Sequence, residues 1–160
     1  LMLAMLYTLR IIAGAAAIDV IVSFWLLLFS MFIFLSLALI KRYSELKVVR
    51  NGGKAVSMRG RGYELDDLEL VSSLGGSSGF IAVLVLALYI QDEQAAHFYA
   101  TPQLIWLVCP IMLFWISRAW LIAHRGRMHD DPIVFALKDK VSWGVGFFML
   151  GVMALARVLS

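Results

Sequence analysis

The chain is poor in residues that crosslink or interrupt a fold. Its 160 residues include one cysteine, Cys109, and three prolines, and only 16% of them are charged. A single cysteine excludes an internal disulfide. The glycine-rich run at residues 75–79 is not followed by Lys-Ser or Lys-Thr, which excludes a Walker-type phosphate loop. The hydrophobic pattern and the placement of the charges are therefore the informative features.

Apolar residues are in large excess. They make up 62% of the chain, and the mean hydropathy is +0.87, whereas soluble domains contain about 45–50% apolar residues. The excess lies in runs long enough to cross a bilayer, so the sequence predicts an all-α, polytopic transmembrane helical bundle. The five expected spans are Leu1–Ala17, Val20–Ile40, Phe80–Ile90 counted from about Val71, Leu104–Ile122 and Val141–Val158.

The basic residues are placed unevenly between these spans. Seven Lys or Arg residues follow the second span, five lie between Arg118 and Lys140, and the other two connections hold none. Cytoplasmic loops carry the excess of positive charge in membrane proteins. The pattern therefore predicts a multi-pass protein of the bacterial inner membrane, in contact with its lipids, with both basic connections in the cytoplasm.

One arginine, Arg10, lies inside the first expected span. A charge near the middle of a bilayer costs about 3 kcal/mol on insertion scales. Ala13, Gly14 and Ala17 follow at helical spacing, and small residues on one face let another helix approach. Arg10 is thus expected to point into a bundle interior. It is either a structural arginine paired with a carbonyl or an acid, or a ligand for a substrate phosphate or carboxylate.

The segment Lys41–Leu46 is the strongest candidate for a functional site. It continues the second span beyond Ile40, at the depth of the lipid headgroups, and Asn51-Gly52-Gly53 is expected to end the helix. Lys41 and Glu45 are four residues apart and are expected to pair. Anionic phosphates and a divalent metal are the expected partners, and the alternative is simple anchoring of the helix by its cations.

Three other local patterns carry expectations. The run Gly75–Gly79 is expected to break or bend the entry to the third span, as a hinge or a close-packing site, and Pro110 is expected to kink the fourth. Asp131-Pro132 predicts the start of a helix that runs into the fifth span. A zinc signature is not matched by the acids and histidines at this point, for which capping and surface charge are preferred: His124, His129, Asp130 and Asp131.

Several segments resemble the UbiA superfamily of intramembrane prenyltransferases: Leu6–Gly14, Lys41–Leu46, and Asp131 with Ala136–Val141. The branch that looks most similar is that of the decaprenyl-phosphate phosphoribosyltransferases. The resemblance implies a bundle of about nine helices around a lipid-facing cavity. Residues 1–160 would be the C-terminal part of such a transmembrane transferase domain, from its fifth helix to its ninth.

The resemblance also implies a chemistry with two open alternatives. The first is transfer of phosphoribose to a polyprenyl phosphate, with magnesium-assisted loss of pyrophosphate. The second is transfer of a prenyl group from a polyprenyl diphosphate to an aromatic acid, as in quinone synthesis. A small phosphorylated or aromatic co-substrate is implied, and no nucleic acid. A transporter or non-catalytic scaffold remains as a reading of another class, based on Arg10 and a hinge at Gly75–Gly79.

The implied residue roles follow from the same resemblance. Arg10, Lys41 and Arg42 would bind substrate phosphate, and Glu45 would be catalytic, orienting these cations or the metal. Tyr43 and Asp131 are candidate substrate contacts. The aspartate motif NDxxDxxxD of the family is absent, so no metal ligand is assigned here. The ligands of Mg²⁺ are expected in a missing N-terminal part, and this fragment is expected to be inactive alone; its opening on Leu1, without Met or a signal-peptide n-region, agrees with that expectation.

Overall fold

Most of the described part of the chain is helical. The computed structural model describes residues 24–52, 65–91, 102–128 and 131–158, together with positions 6 and 9. No strand occurs within these ranges, and the predicted all-α class is confirmed. Arg10 and nearly all of the first expected span lie outside them. The elements are α1 (Phe24–Gly52), a 3₁₀ turn (Leu65–Asp67), α2 (Leu68–Gln91), α3 (Pro102–Ile105), α4 (Val108–His124), α5 (Pro132–Lys138) and α6 (Lys140–Val158).

Two of these helices are long and apolar enough to cross a membrane. They are α1, over Phe24–Arg50, and α2, over Leu68–Gln91. At about 1.5 Å per residue, α2 is about 36 Å long, against a hydrocarbon core of about 30 Å. The apolar helices α4 and α6 are shorter. α1 continues past Ile40 into the charged segment and ends at Gly52, as the sequence predicts.

The long helices pack side by side around two apolar clusters. α1 and α2 run antiparallel, since Ser36 meets Gly75 and Leu46 lies in the same cluster as Leu68. α4 runs antiparallel to α2, and α6 runs antiparallel to α4. One cluster joins the end of α1, the start of α2, the end of α4 and the loop after it. The described residues that flank the two basic connections therefore lie at the same end of the molecule.

The glycine run does not break α2, contrary to the expectation of a bend. α2 is continuous from Leu68 to Gln91. A Cβ atom at Gly75 would overlap the ring of Trp120, and one at Gly79 would lie 2.6 Å from Ile116. Ser36 completes the contact, because its hydroxyl donates to the Gly75 carbonyl (2.7 Å) and accepts from Trp120 Nε1 (3.1 Å). These glycines form a close-packing site between three helices.

Two further boundaries differ from the expected spans. Pro110 lies in the first turn of α4, where a missing N–H costs little, and the chain breaks upstream at Trp106 and Leu107. The helix that begins at Pro132 does not run on into the fifth span, because Asp139 is extended (φ −85°, ψ 119°) and separates α5 from α6. The Asp139 carboxylate accepts from the N–H of Ser142 (2.8 Å) and so caps α6.

Candidate functional site

The last turns of α1 carry the candidate residues. They lie at the end of the bundle formed by the end of α1, the start of α2 and the end of α4, which we call the basic end. Ile40 and Leu46 are each 1% exposed and pack against the other helices. Their burial fixes the rotation of α1 about its axis. Lys41, Arg42 and Glu45 consequently lie partly exposed, and Tyr43 is buried with its ring against α4.

Lys41 forms an ion pair with Asp131, which is the N-cap residue of α5. The second carboxylate oxygen of Asp131 accepts from the N–H of Ile133 (3.2 Å), so the predicted helix cap is confirmed. Burial raises the pKa of Asp131, but the hydrogen bonds from Lys41 and Ile133 and the charge of Lys41 outweigh it. The pKa of Asp131 therefore lies below its ordinary value.

Arg42 and Glu45 pair within α1. Nη1 of Arg42 donates to Oε2 of Glu45 over 2.6 Å, one helical turn apart. The expected pair between Lys41 and Glu45 is therefore wrong, since Lys41 pairs with Asp131 instead. The physical reason is the fold: the loop after α4 brings Asp131 to the side of α1 that carries Lys41.

Tyr43 joins α1 to the end of α4. Its hydroxyl lies 2.9 Å from Nδ1 of His124, within hydrogen-bond distance, and its ring meets Trp120 edge to face with centroids 5.8 Å apart. The ammonium of Lys47 lies 5.6 Å from the centre of the same ring, in the range of a cation–π contact. Sequence reasoning missed His124 and Lys47, although the i,i+4 spacing of Tyr43 and Lys47 places them on one helix face.

The turn after α4 has one defined backbone geometry. Gly126 has a φ of +68°, and Arg127 N–H donates to the Ile122 carbonyl over 3.1 Å while Gly126 N–H donates to Ala123 over 3.0 Å. This is the Schellman motif, in which glycine takes the left-handed position at little cost. Met128, 3% exposed, then enters the core. The turn holds His124 beside Tyr43 and directs the chain toward Asp131.

A second charged group joins α4 to the break between α5 and α6. Arg118 donates two hydrogen bonds to Asp139, of 2.6 and 3.0 Å. The Ser142 hydroxyl donates to Asp139 (2.9 Å) and accepts from Trp115 Nε1 (3.0 Å). Burial raises the pKa of Asp139, but these bonds from Arg118 and Ser142 outweigh it and hold the pKa below its ordinary value. These bonds position α6, and we interpret the group as structural because its charges are paired with each other.

The described residues do not fit a magnesium site. Within them, no group of three His, Cys, Asp or Glu side chains could hold a metal ion. The nearest carboxylates are already engaged, Asp131 by Lys41 and Glu45 by Arg42. Magnesium prefers several free oxygen ligands. Of the predicted site residues, Lys41, Arg42, Tyr43, Glu45 and Asp131 are brought to one end of the bundle, and Arg10 lies outside the described part.

Comparison with known proteins gives two bacterial relatives. The uncharacterized protein y4nM of Sinorhizobium fredii is 38% identical over 154 residues, which cover 94% of this chain and 29% of the relative. Nodulation protein NoeC of Azorhizobium caulinodans is 42% identical over 137 residues, which cover 86% of this chain and 44% of the relative. This chain thus spans less than half the length of either. No family model and no solved structure matches it.

Proposed function

We propose that this chain is the C-terminal part of a UbiA-like membrane transferase that acts on a polyprenyl phosphate. In the favoured reaction, a phosphate oxygen of the lipid attacks the anomeric carbon of phosphoribosyl diphosphate. The new bond joins that carbon to the lipid phosphate, and the bond to the diphosphate breaks, so that pyrophosphate leaves. The name of one relative, nodulation protein NoeC, specifies no reaction, so the proposal depends on the side chains of this chain.

One observation carries the proposal: the cations of the segment Lys41–Leu46 are held in place at the point where α1 leaves its apolar stretch. Asp131 holds Lys41, and Glu45 holds Arg42. An ammonium has three donors and a guanidinium five, which is more than one carboxylate engages. Two oriented cations at headgroup depth suit a substrate with several phosphate oxygens.

The roles of these residues follow from their positions. Lys41 and Arg42 would bind substrate phosphate, and Glu45 would fix the direction of the Arg42 guanidinium. Fixed charges of this kind stabilise negative charge that develops on a leaving group. Tyr43 would hold the end of α4 through His124. The ligands of Mg²⁺ and the phosphate contact assigned to Arg10 remain predictions for residues outside the described part.

The alternatives receive less support. An aromatic prenyltransferase would use the same cations for the diphosphate of its lipid, and it differs in the acceptor. A transporter was suggested by Arg10 and by a hinge at Gly75–Gly79. Arg10 lies outside the described part, and α2 is continuous at the glycines and packed against Trp120 and Ile116. Among the described residues, the charged pairs lie at one end of the bundle and not near its middle.

The test is a transfer assay with membranes that contain the longest natural protein carrying this segment. Decaprenyl phosphate and ribose-labelled phosphoribosyl diphosphate should give a lipid-soluble labelled product, and Arg42→Ala should abolish it. Lys140→Ala, a cation at the same end of the bundle, is the matched control and should not. Label transfer only from a polyprenyl diphosphate to 4-hydroxybenzoate would favour the aromatic branch, and no transfer in either assay would exclude the proposal.

A further inference from the structure

An open groove lies between α2 and α4, where Trp120 and His124 form part of its wall. Its volume is about 340 Å³. The two helices are antiparallel, so the start of α2 meets the end of α4. The groove therefore runs from Ser72 and His124 at the basic end to Phe80 and Ser117 at the other. Its lining residues are Ser72, Gly76, Phe80, Ser117, Trp120, Leu121 and His124.

The walls of the groove are mostly carbon. Phe80 is 52% exposed and Leu121 is 47% exposed, and Trp120 also lines the groove. Three residues of α2 line it at spacings of four, over a rise of about 12 Å. An apolar groove of this length fits part of an alkyl or prenyl chain that lies along the two helices. α2 is also one of the helices long enough to cross a membrane, so lipid can reach the groove from the side.

Basic side chains lie near the basic end of this groove. His124 forms part of its wall and is exposed. Lys47, on α1, lies beside the turn that follows His124 and over the ring of Tyr43, whose hydroxyl is 2.9 Å from Nδ1 of His124. Arg125 follows His124 and is exposed. Among the described residues, no carboxylate pairs with Lys47 or Arg125.

We propose that this groove binds the chain of a lipid phosphate whose headgroup is held by Lys47, His124 and Arg125. The positive charge near the basic end of the groove matches an anionic headgroup. The apolar walls match the lipid chain. This surface is separate from the Lys41–Asp131 pair. The proposal does not depend on transferase activity, because a lipid can occupy the groove whether or not it reacts.

Gly76 offers a direct way to close the groove. A Cβ atom at this position would meet nothing within 4 Å, so a larger side chain can extend into the open space without displacing a neighbouring helix. Gly151 on α6 is the matched control, because it is equally open, exposed and not part of this groove. Leucine at either position replaces a helical glycine by a better helix former.

The experiment measures binding of radiolabelled dioleoyl phosphatidic acid to the detergent-solubilised protein. Gly76→Leu and Lys47→Gln should each weaken binding by about tenfold, the factor that corresponds to about 1.4 kcal/mol. Gly151→Leu should leave it unchanged. Glu69 lies one turn before Ser72 and is exposed, so Glu69→Gln should tighten binding. Dioleoyl phosphatidylcholine should compete poorly, because its headgroup carries no net charge.

Three results would overturn the proposal. The first is unchanged binding in Gly76→Leu, with Gly76→Ala as the smaller variant should leucine reduce the yield of folded protein. The second is equal competition by phosphatidylcholine, which would indicate a groove that takes any lipid. The third is equal competition by inorganic phosphate, which would indicate a site for free anions. These binding measurements can be interpreted even if the transfer assay of the proposed function gives no product, because binding does not require the reaction.

Discussion

The ammonium of Lys41 meets the carboxylate of Asp131, which lies 90 residues further along the chain and also caps α5. One carboxylate thus fixes both the end of α1 and the start of α5. The two bonds use different oxygens, since Lys41 donates to Oδ2 and Ile133 N–H to Oδ1. The two roles can therefore be separated by substitution.

Asp131→Asn should cost less stability than Asp131→Ala. Asparagine keeps the cap, and loss of a cap costs about 0.5–2 kcal/mol. The ion pair alone contributes about 0–1 kcal/mol, because the side chains of Lys41 and Asp131 are 44% and 34% exposed. Thermal unfolding in detergent, followed by circular dichroism, measures the difference. Equal losses in the two variants would show that the charge, and not the cap, is what stabilises this junction.

The protein should lose stability on acidification below about pH 4. Asp131 and Asp139 both have a pKa below the ordinary value, through the contacts of Lys41 and Arg118 described above. A carboxylate with a depressed pKa contributes stability above its unfolded-state pKa, and this is lost as the pH falls through the folded-state pKa. Asp139→Asn should therefore lower the unfolding temperature at pH 7 and flatten its decline in acid. Asp66→Asn, at an exposed carboxylate, is the control and should keep the wild-type profile.

Neighbouring glycines of α2 should respond in opposite directions to alanine. At Gly75 the new methyl group overlaps Trp120 and disturbs its bond to Ser36, and overpacking of this kind costs about 1–3 kcal/mol. At Gly76 the methyl group meets open space, and the gain in helix propensity is about 0.5–1 kcal/mol. Unfolding temperatures of the two variants give the test. A stable Gly75→Ala protein would contradict the packing of the three helices.

Arg42→Lys should reduce turnover by an order of magnitude or more in the full-length protein. Lysine keeps the charge and loses the planar fork, and a charge-assisted hydrogen bond contributes about 1.5–3 kcal/mol. Arg50→Lys, two turns further along α1, is the control for anchoring by positive charge. Protein level and membrane insertion should not change. Full activity in both Arg42→Lys and Glu45→Gln would exclude a role in phosphate binding. The segment Lys41–Leu46 would then only anchor the helix at the membrane surface.

Cysteines introduced at Ser57 and at Ala96 should be labelled from opposite sides of the membrane. Ser57 lies in the basic connection after the second expected span and Ala96 in the connection that lacks Lys and Arg. Cys109→Ser removes the buried native thiol from the background. An impermeant maleimide applied to intact cells and to inverted vesicles makes the comparison. Labelling of both positions from one side would exclude the proposed topology.

The local features of the fold were predictable from the sequence. The extension of α1 into the charged segment, its end at Gly52 and the cap at Asp131 each follow from a few adjacent residues. Helix continuation and capping depend on backbone groups within a turn or two. Such features can be predicted without knowledge of the fold.

The pairings between helices were not predictable in the same way. Lys41 was expected to pair with Glu45 because the two lie on one helix face, but the turn at Gly126 brings Asp131 into reach. Tyr43 and His124 are 81 residues apart, and only the packing of α4 on α1 joins them. The run Gly75–Gly79 was expected to be a hinge or a close-packing site, and the sequence alone does not decide between the two. The partner that explains it, Trp120, lies on another helix.

α1 carries its apolar stretch and its charged turns on one uninterrupted helix. The expected apolar span, Val20–Ile40, would be about 32 Å long as a helix, close to the hydrocarbon thickness of about 30 Å. In a thinner bilayer the helix relieves the hydrophobic mismatch by tilting, and in a thicker one the bilayer thins around it. Because Lys41 and Arg42 are on the same helix, a change in its tilt or in the bilayer thickness also changes their depth. The acyl-chain length of the surrounding lipids should therefore set how far these two cations reach into the aqueous phase.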